Sequence, residues 1–310
     1  MRDVVPVDFA RLGHVYVFAN GKGGVGKTTT AANIAGLAAS DGARTLLVDL
    51  NGQGNVGLNL GFQDEEGMDD RGRGLYRAVC TGDPLEPIRD VRPNLDVVPG
   101  GPMVRRITRT LEPEAGRSPS PDNVLFSLAR SLEEVADDYK LIVIDSPPEN
   151  PFLMRLALVA SRWVLAPMNS DRASQTGLRE LAVEFTAVKG DPDSPETQFN
   201  PYIQLLGVFL FDSGSRSTLI HKQFRNDVKD LLGDAAQVFT TVIRSAETVA
   251  VQSRKYGKLA FELEDEVKNN PREVSATSIG LAQDYANLAA EAFKEAAARQ
   301  RQMKTEGVWP

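Results

Sequence analysis

The chain has 310 residues, of which 42% are hydrophobic and 25% are charged, and these values are ordinary for a globular protein with a substantial core. Its net charge of -7 at pH 7 argues against a broadly basic surface that coats nucleic acid, so any DNA binding must come from a local patch. No apolar run approaches the roughly 20 residues of a bilayer-spanning helix, and the single cysteine, Cys80, excludes an intrachain disulfide and favours a reducing cytoplasm.

Seven short apolar runs predict β-strands. Several do not alternate with polar residues, as expected for strands that are covered on both faces. The runs cover residues 14–20, 45–50, 95–100, 141–145, 163–168, 203–211 and 238–243. Segments of helical period lie between them, most clearly at 27–42 and 123–138. This alternation predicts an α/β fold with a doubly wound, mainly parallel sheet flanked by helices, and it places the ligand at the carboxyl ends of the strands.

Three stretches rich in charge, Gly, Pro and Ser, at 63–74, 112–122 and 189–201, are predicted surface loops. None of them separates segments with independent cores. We therefore expect a single domain over residues 1–310, with its core at about 14–260 and a helical tail at about 272–303.

The tail has apolar residues near i, i+3 and i+4 and a basic end, which leaves two alternatives. It packs on the domain, or it is an amphipathic membrane anchor. Glu291 and Glu295 interrupt the basic face and favour packing.

The stretch NGKGGVGKTTT at 20–30 follows the first predicted strand and opens a predicted helix. It contains the phosphate-loop pattern G-x-x-x-x-G-K-[ST], in which backbone N–H groups surround phosphates. Lys27 is expected to hold the terminal phosphates of a nucleotide, and Thr28 is expected to ligate Mg²⁺. The nucleotide-binding candidates in this loop are Gly23, Gly24, Val25, Gly26, Lys27, Thr28 and Thr29.

Carboxylates end two of the predicted strands, Asp49 in LLVD and Asp145 in LIVID. A buried charge at a strand tip is costly unless it has a partner, and Mg²⁺ held directly or through water supplies one. The alternative for either aspartate is an ordinary helix cap. Together with Thr28, these two residues form the predicted metal site.

Five motifs follow one another along the chain: KGGVGKTT at 22–29, LLVDLNGQGN at 46–55, LIVIDSPPEN at 141–150, APMNSDRASQTGL at 166–178 and TVIRSAETVAVQSRKYGK at 241–258. In this order and spacing the chain resembles the ParA/MinD family, the deviant Walker A or SIMIBI-class ATPases, which move or position plasmids, chromosomes and other cargo. The resemblance covers nearly all of residues 14–260 and is greatest to ParA/Soj partition proteins. It implies ATP and Mg²⁺ as cofactors.

The resemblance also implies a role for Lys22, the lysine that precedes the phosphate-binding glycines. In the family this lysine reaches across a nucleotide-sandwich dimer to the partner's phosphates. Two facing nucleotides concentrate negative charge, and one cation from each subunit offsets it and stabilises charge that develops during phosphoryl transfer. The alternative for Lys22 is a solvent-exposed lysine.

The second motif departs from the family pattern D-x-D-P-Q-G-N, because residues 49–55 read DLNGQGN. The second aspartate of the pattern positions the attacking water. Asn51 occupies its place and is an uncharged, far poorer proton acceptor, while Gly52 replaces the proline and loosens the loop. We therefore expect slow ATP hydrolysis, with stimulation by a partner as an open alternative. The candidate catalytic residues are Lys22, Lys27 and Asn51.

By the same resemblance, the adenine lies near Phe211, Asp212, Ile243 and Arg244, where Arg244 stacks on the base, contacts a phosphate or is only surface charge. In ParA-type members the ATP-bound dimer binds DNA without sequence preference and works with a centromere-binding, ParB-like adaptor. A cytoplasmic, nucleoid-associated protein is then expected. The candidate DNA contacts, which either form a basic patch across the dimer or are ordinary surface charges, are Arg216, Lys222, Arg225, Arg254, Lys255 and Lys258.

Two other classes of protein are alternatives. A membrane-cycling cell-division positioning ATPase resembling MinD needs an anchoring helix, which the tail supplies poorly, so no stable membrane anchor is expected. Related folds also include nitrogenase iron protein and cobyrinate-amidating enzymes. The single Cys80 argues against a bridging metal cluster and against a catalytic cysteine domain.

Overall fold

The computed structural model describes residues 6–63, 65–115, 124–213, 218–233, 236–269 and 274–310. In these residues eight strands form one sheet in the order β3-β4-β2-β5-β1-β6-β7-β8. All neighbouring strands are parallel except β3 and β4. The strands are β1 Val15–Phe18, β2 Thr45–Asp49, β3 Ile88–Arg92, β4 Leu95–Val98, β5 Leu141–Asp145, β6 Trp163–Met168, β7 Gln204–Ser213 and β8 Val238–Arg244. This confirms the predicted α/β, mainly parallel sheet.

Helices cover both faces of the sheet, so the central strands are buried on both sides, as their continuous apolar runs predicted. One face carries α3 to α8, and the other carries α1, α2 and α9 to α11. The helices are α1 Lys27–Ser40, α2 Asn55–Leu60, α3 Arg73–Thr81, α4 Val104–Ala115, α5 Ser127–Val135, α6 Pro151–Val159, α7 Arg172–Lys189, α8 Thr218–Leu232, α9 Glu247–Tyr256, α10 Glu262–Asn269 and α11 Thr277–Thr305.

Strand β3 was not predicted from the sequence. It is a short edge strand of sequence IRDVR, with three charged residues and a left-handed Asp90 (φ 50°), so it has no apolar run to indicate it. It pairs antiparallel with β4 through a turn at Pro93 and Asn94, and Asn94 is also left-handed (φ 64°). A charged edge of this kind discourages pairing with other chains.

Two predicted loops are shorter than expected. Helix α3 begins at Arg73, inside the loop predicted at 63–74, and α4 continues to Ala115, inside the loop predicted at 112–122. Residues 116–122 lie outside the described part of the chain. Both helices present buried leucines to the sheet, Leu75 and Leu111, and this packing outweighs the polar composition of their other positions.

Helix α11 lies against β8, α1 and α10. Its apolar positions, among them Leu281, Tyr285 and Leu288, are buried in the core on that face of the sheet. Within the described ranges, no helix has the length and apolarity needed to cross a bilayer.

Candidate nucleotide-binding site

The phosphate loop connects β1 to α1 at the carboxyl edge of the sheet. Gly24 (φ 76°) and Gly26 (φ 83°) are left-handed, a conformation that side chains with a Cβ rarely adopt. A Cβ at Gly26 would also lie 2.2 Å from the ring of Phe211, which covers this part of the loop. Gly26 caps α1, so the positive end of that helix dipole faces the loop and makes it a site for an anion.

Lys27 is the first residue of α1 and is 5% exposed. Its Nζ donates to the backbone oxygen of Lys22 at 2.6 Å, which holds the ammonium group inside the loop. Burial lowers the pKa of Lys27 to about 8, although the carboxylates of Asp145 and Glu149 raise it in part. A bound phosphate would restore the solvation that burial removes from this cation.

Thr28 and Asp145 lie together under the loop. The Thr28 hydroxyl donates to Oδ2 of Asp145 at 2.6 Å, while Oδ1 of Asp145 is buried and has no hydrogen-bond partner among the described residues. Burial raises the pKa of Asp145 to about 7. Mg²⁺ prefers oxygen ligands, and this pair offers a hydroxyl oxygen and an unpaired carboxylate oxygen side by side. Thr28 and Asp145 therefore suit a Mg²⁺ ion.

Asp49 lies beside Asp145 across the β2–β5 pair, and it has a different environment. Its two oxygens accept from the backbone N–H groups of Asn51 at 2.9 Å and Val56 at 3.1 Å. Burial, together with the neighbouring Asp145, raises the pKa of Asp49. Asp49 therefore organises the loop at 50–56, and Asp145 has the oxygen available for a metal.

Asn51 is buried in that loop and lines the cavity described below. Its Oδ1 accepts from the Gln53 N–H at 3.0 Å, and its backbone oxygen accepts from Gly54 and Gly101. The amide thus closes a local turn. Next to it, a Cβ at Gly52 would lie 2.4 Å from Cγ of Arg105, so this arginine fills the space that a larger residue would occupy.

Lys22 points away from the phosphate loop. Its Nζ lies 2.6 Å from Oδ2 of Asp171, the residue that caps α7, and 3.5 Å from the Ser174 hydroxyl. The hydrogen bond from Lys22 helps to hold the pKa of Asp171 below its usual range, against the opposing effect of partial burial. Sequence reasoning missed this partner, although Asp171 lies inside the motif at 166–178. The trans role of Lys22 stays a prediction.

A cavity of about 810 Å³ opens beside the loop, between α1, α2 and α9. Val25 and Ile243 are fully buried and do not line it. The predicted site residues that do line it are Gly23, Gly24, Gly26, Lys27, Thr28, Thr29, Asn51, Phe211, Asp212 and Arg244. The guanidinium of Arg244 is held by Asp284 of α11, with N–O distances of 2.6 and 2.8 Å. Lining residues that the sequence did not indicate include Asn33, Asn55, Asn59, Ser245, Glu247 and Ser253.

The predicted DNA contacts are not adjacent within one subunit. Lys222 and Arg225 are exposed on α8, on one side of the sheet, while Arg254 and Lys255 are exposed on α9, on the other. Arg254 lines the nucleotide cavity, and Lys258 forms an ion pair with Glu266. Arg216 lies outside the described residues.

Comparison with known proteins agrees with this geometry. The model of a family described as "AAA domain" matches residues 13–195. The chain is 33% identical over 218 residues to the chromosome partitioning protein ParA of Myxococcus xanthus, covering 69% of this chain and 70% of that protein. It is 31% identical over 234 residues to the sporulation initiation inhibitor protein Soj of Bacillus subtilis, covering 75% and 84%.

Among solved structures, an ATP complex of McdA from Cyanothece superimposes with a TM-score of 0.69. The sequence identity is 18%, and the match covers 90% of this chain and 96% of that one. At this identity the likeness supports the fold alone.

Proposed function

The chain belongs to the ParA/MinD-like P-loop ATPases, and we propose that it is a ParA-like partition or positioning ATPase that forms an ATP-sandwich dimer and binds nonspecific DNA. The observation that carries the proposal is a complete phosphate loop with the additional Lys22 at its entrance, followed by Thr28 and Asp145 in hydrogen-bond contact. ATP is the proposed substrate. The proposed cargo of the protein is a plasmid or a chromosome on the nucleoid.

The loop and cavity support binding of a nucleoside triphosphate. Three features favour polyanion binding at one end of the cavity: the N-terminus of α1, the buried ammonium of Lys27 and the left-handed glycines. The other end is lined by Phe211, Asp212 and residues 244–247, and its mixed surface suits a base and ribose.

Thr28 and Asp145 would hold Mg²⁺, Asp145 either directly or through water. Held by these two residues, Mg²⁺ would supply positive charge beside the phosphates for phosphoryl transfer. The buried pair itself keeps the Thr28 hydroxyl oriented, because its hydrogen bond to Asp145 fixes the side chain at the start of α1.

Dimerisation would use Lys22. In one subunit its ammonium is held by Asp171, whose side chain is 50% exposed, so the ion pair lies at the surface, where a second subunit can reach it. A surface ion pair of this kind contributes about 0–1 kcal/mol, and a triphosphate presents a larger negative charge. The lysine can therefore leave Asp171 for a partner's nucleotide at small cost.

Hydrolysis would be slow, because Asn51 cannot accept a proton from water as a carboxylate does. Its amide oxygen is already engaged by the Gln53 N–H. A ParB-like adaptor that binds the dimer would then be the natural source of stimulation.

The membrane-cycling alternative has less support. The apolar residues of α11 are buried against β8 and α1, so using this helix as an anchor would require it to leave the core. This packing disfavours a lipid-binding role for α11.

Size-exclusion chromatography with light scattering tests the proposal. With ATP and Mg²⁺ the wild-type mass should approach twice the 33.7 kDa of one chain, and Lys22→Ala should remain at the single-chain mass. Lys140→Ala removes an exposed lysine elsewhere on the molecule and should dimerise normally. A wild-type chain that binds ATP but stays monomeric at all concentrations would contradict the dimer.

A further inference from the structure

A group of exposed arginines lies on α4, at the start of α3 and just before α3, away from the residues that the sequence indicated for DNA. We call it the arginine surface, and it consists of Arg71, Arg73, Arg105, Arg106 and Arg109. It contains no lysine. Among the residues that the structure describes, none of the five forms an ion pair. In a chain of net charge -7, this is a marked local concentration of arginine, although the carboxylates of Asp69 and Asp70 adjoin Arg71 and accept backbone N–H groups at this end of α3.

Packing brings the two helices together at their first turns. A Cβ at Gly72, the cap of α3, would lie 2.8 Å from the Val104 side chain at the start of α4. The backbone N–H of Met103 donates to the oxygen of Arg71 at 3.2 Å. Arginines that are about 35 residues apart in the sequence therefore share one face of the molecule.

The placement of these arginines is costly for the helix. Arg105 and Arg106 lie in the first turn of α4, where the helix dipole disfavours cations, and that turn contains no acidic residue. The first turn of α3 is different, because Asp70 accepts from the N–H groups of Gly72 and Gly74. A bound polyanion would relieve the repulsion at α4.

Neighbouring side chains add hydroxyl groups to the same surface. The Tyr76 hydroxyl lies 3.3 Å from the Thr110 hydroxyl, and both atoms are exposed. The guanidinium of Arg106 lies 6.0 Å from the centre of the Tyr76 ring. Arginine, threonine and tyrosine are residues that contact the phosphate backbone of DNA, and guanidinium groups bind phosphate in a bidentate manner.

The arginine surface also touches the loop that approaches the nucleotide. The Arg105 side chain lies against Gly52, and the backbone of Arg71 lies against Gly101, whose N–H donates to the oxygen of Asn51 at 2.9 Å. A change in the loop on nucleotide binding would therefore move Arg105 directly.

We propose that the arginine surface of α3 and α4 binds the phosphate backbone of duplex DNA and is the main DNA contact of this chain. The inference rests on the proposed function and assigns its DNA contact to residues that the family resemblance did not indicate. Within one subunit the α8 and α9 candidates lie on opposite sides of the sheet, so they can act together only across a dimer. Lys258 is ion-paired, and Arg254 lines the nucleotide cavity. Within the described residues, the five arginines form no ion pair, and none of them lines the nucleotide cavity.

Fluorescence anisotropy with a labelled, short DNA duplex of arbitrary sequence tests this in the presence of ATP and Mg²⁺. The double variant Arg105→Ala/Arg109→Ala should bind about tenfold or more weakly at moderate salt, and the slope of log K against log salt should fall by about 2. Arg105→Lys/Arg109→Lys keeps the charges and should keep most of the slope. Lys222→Ala/Arg225→Ala is the matched control and should change both quantities less.

Thermal unfolding and ATP binding, measured on every variant, show that the variants are folded. If the wild-type chain binds DNA and the arginine variant binds equally well, the inference is wrong while the proposed function stands. If the wild-type chain dimerises with ATP but binds no DNA, the DNA part of the proposed function fails and the inference with it. If the arginine variant binds a polyglutamate peptide more weakly than the wild type does, while its DNA binding is unchanged, the surface binds an acidic protein and the inference is also overturned.

Discussion

At the residue scale, the site depends on which groups hold the two phosphate-loop lysines. Lys27 is buried and bonded to the backbone of its own loop, so it is in place before any phosphate arrives. Lys22 is paired with Asp171 near the surface and is free to change partners at small cost. One lysine is thus preorganised for phosphate, and the other is held ready for a different contact.

Replacing Asn51 by aspartate should raise the steady-state rate of phosphate release by about tenfold or more, because a carboxylate can accept the proton of the attacking water. Asn59→Asp is the matched control. Asn59 lies on α2 and also lines the cavity, and this substitution introduces the same negative charge. No increase for Asn51→Asp, or an equal increase for both variants, would remove the link between residue 51 and slow turnover.

The protein should take up a proton when it binds ATP at a pH slightly above 8. Burial lowers the pKa of Lys27 to about 8, and phosphates beside the ammonium group favour its charged form and raise that pKa. Affinity should therefore fall as the pH rises through the pKa of the free protein. Calorimetry in buffers of different ionisation enthalpy measures the uptake.

Lys27→Arg supplies the control for this measurement, because arginine stays charged throughout the range. Where the Lys27→Arg protein still binds ATP, this binding should be accompanied by no proton uptake. Uptake of equal size in this variant would assign the proton to another group.

At the element scale, the C-terminal ends of α2 and α9 meet. Gly61 ends α2 and Gly257 ends α9, both in the left-handed conformation, and their backbones are in contact. Arg92 of β3 donates to the Gly257 oxygen at 2.8 Å and pairs with Glu262. The edge strand that sequence analysis missed therefore fixes two helices that line the nucleotide cavity.

Gly257→Ala should lower the free energy of unfolding by about 3 kcal/mol, because the added Cβ meets backbone in addition to the left-handed strain. That Cβ would lie 2.3 Å from Cα of Gly61. Gly82 also caps a helix with positive φ but has nothing within 4 Å, so Gly82→Ala should cost about 1 kcal/mol. Urea unfolding measures both, and equal losses would show that the contact is unimportant.

At the scale of the whole molecule, both ends of the described chain pack at the edge of the sheet opposite the nucleotide. The buried Arg162 donates to the Phe9 oxygen near one end, and its guanidinium lies 4.4 Å from the ring centre of Trp309 near the other. Burial lowers the pKa of Arg162 to about 10, and within the described ranges no carboxylate forms an ion pair with it. Aromatic faces and carbonyl oxygens hold this cation.

Trp309→Ala should therefore lower the free energy of unfolding by about 2 kcal/mol, because the cation–π contact and the ring contacts with Trp163 are lost. Val308 is 49% exposed, and Val308→Ala should change stability little. Denaturant unfolding of the two variants side by side is the measurement. A Trp309 variant as stable as the wild type would show that this end of the chain does not support the sheet.

The sequence by itself determined the sheet and the phosphate loop. Uninterrupted apolar runs specify buried parallel strands, and a glycine-rich loop between a strand and a helix specifies a phosphate site, because both depend on local backbone preference and solvent exclusion. It also determined that residue 51 is an amide. Strand β3 has no such local signal, since its charged residues lie at an edge.

Only the tertiary structure decided which side chains meet. Lys22 and Asp171 are 149 positions apart, and Arg244 and Asp284 are 40 apart, so no local pattern pairs them. Arg105 reaches Gly52 only because β4 lies beside β2 and places the first turn of α4 over the loop. Side-chain partners of this kind depend on strand order, which apolar runs do not encode residue by residue.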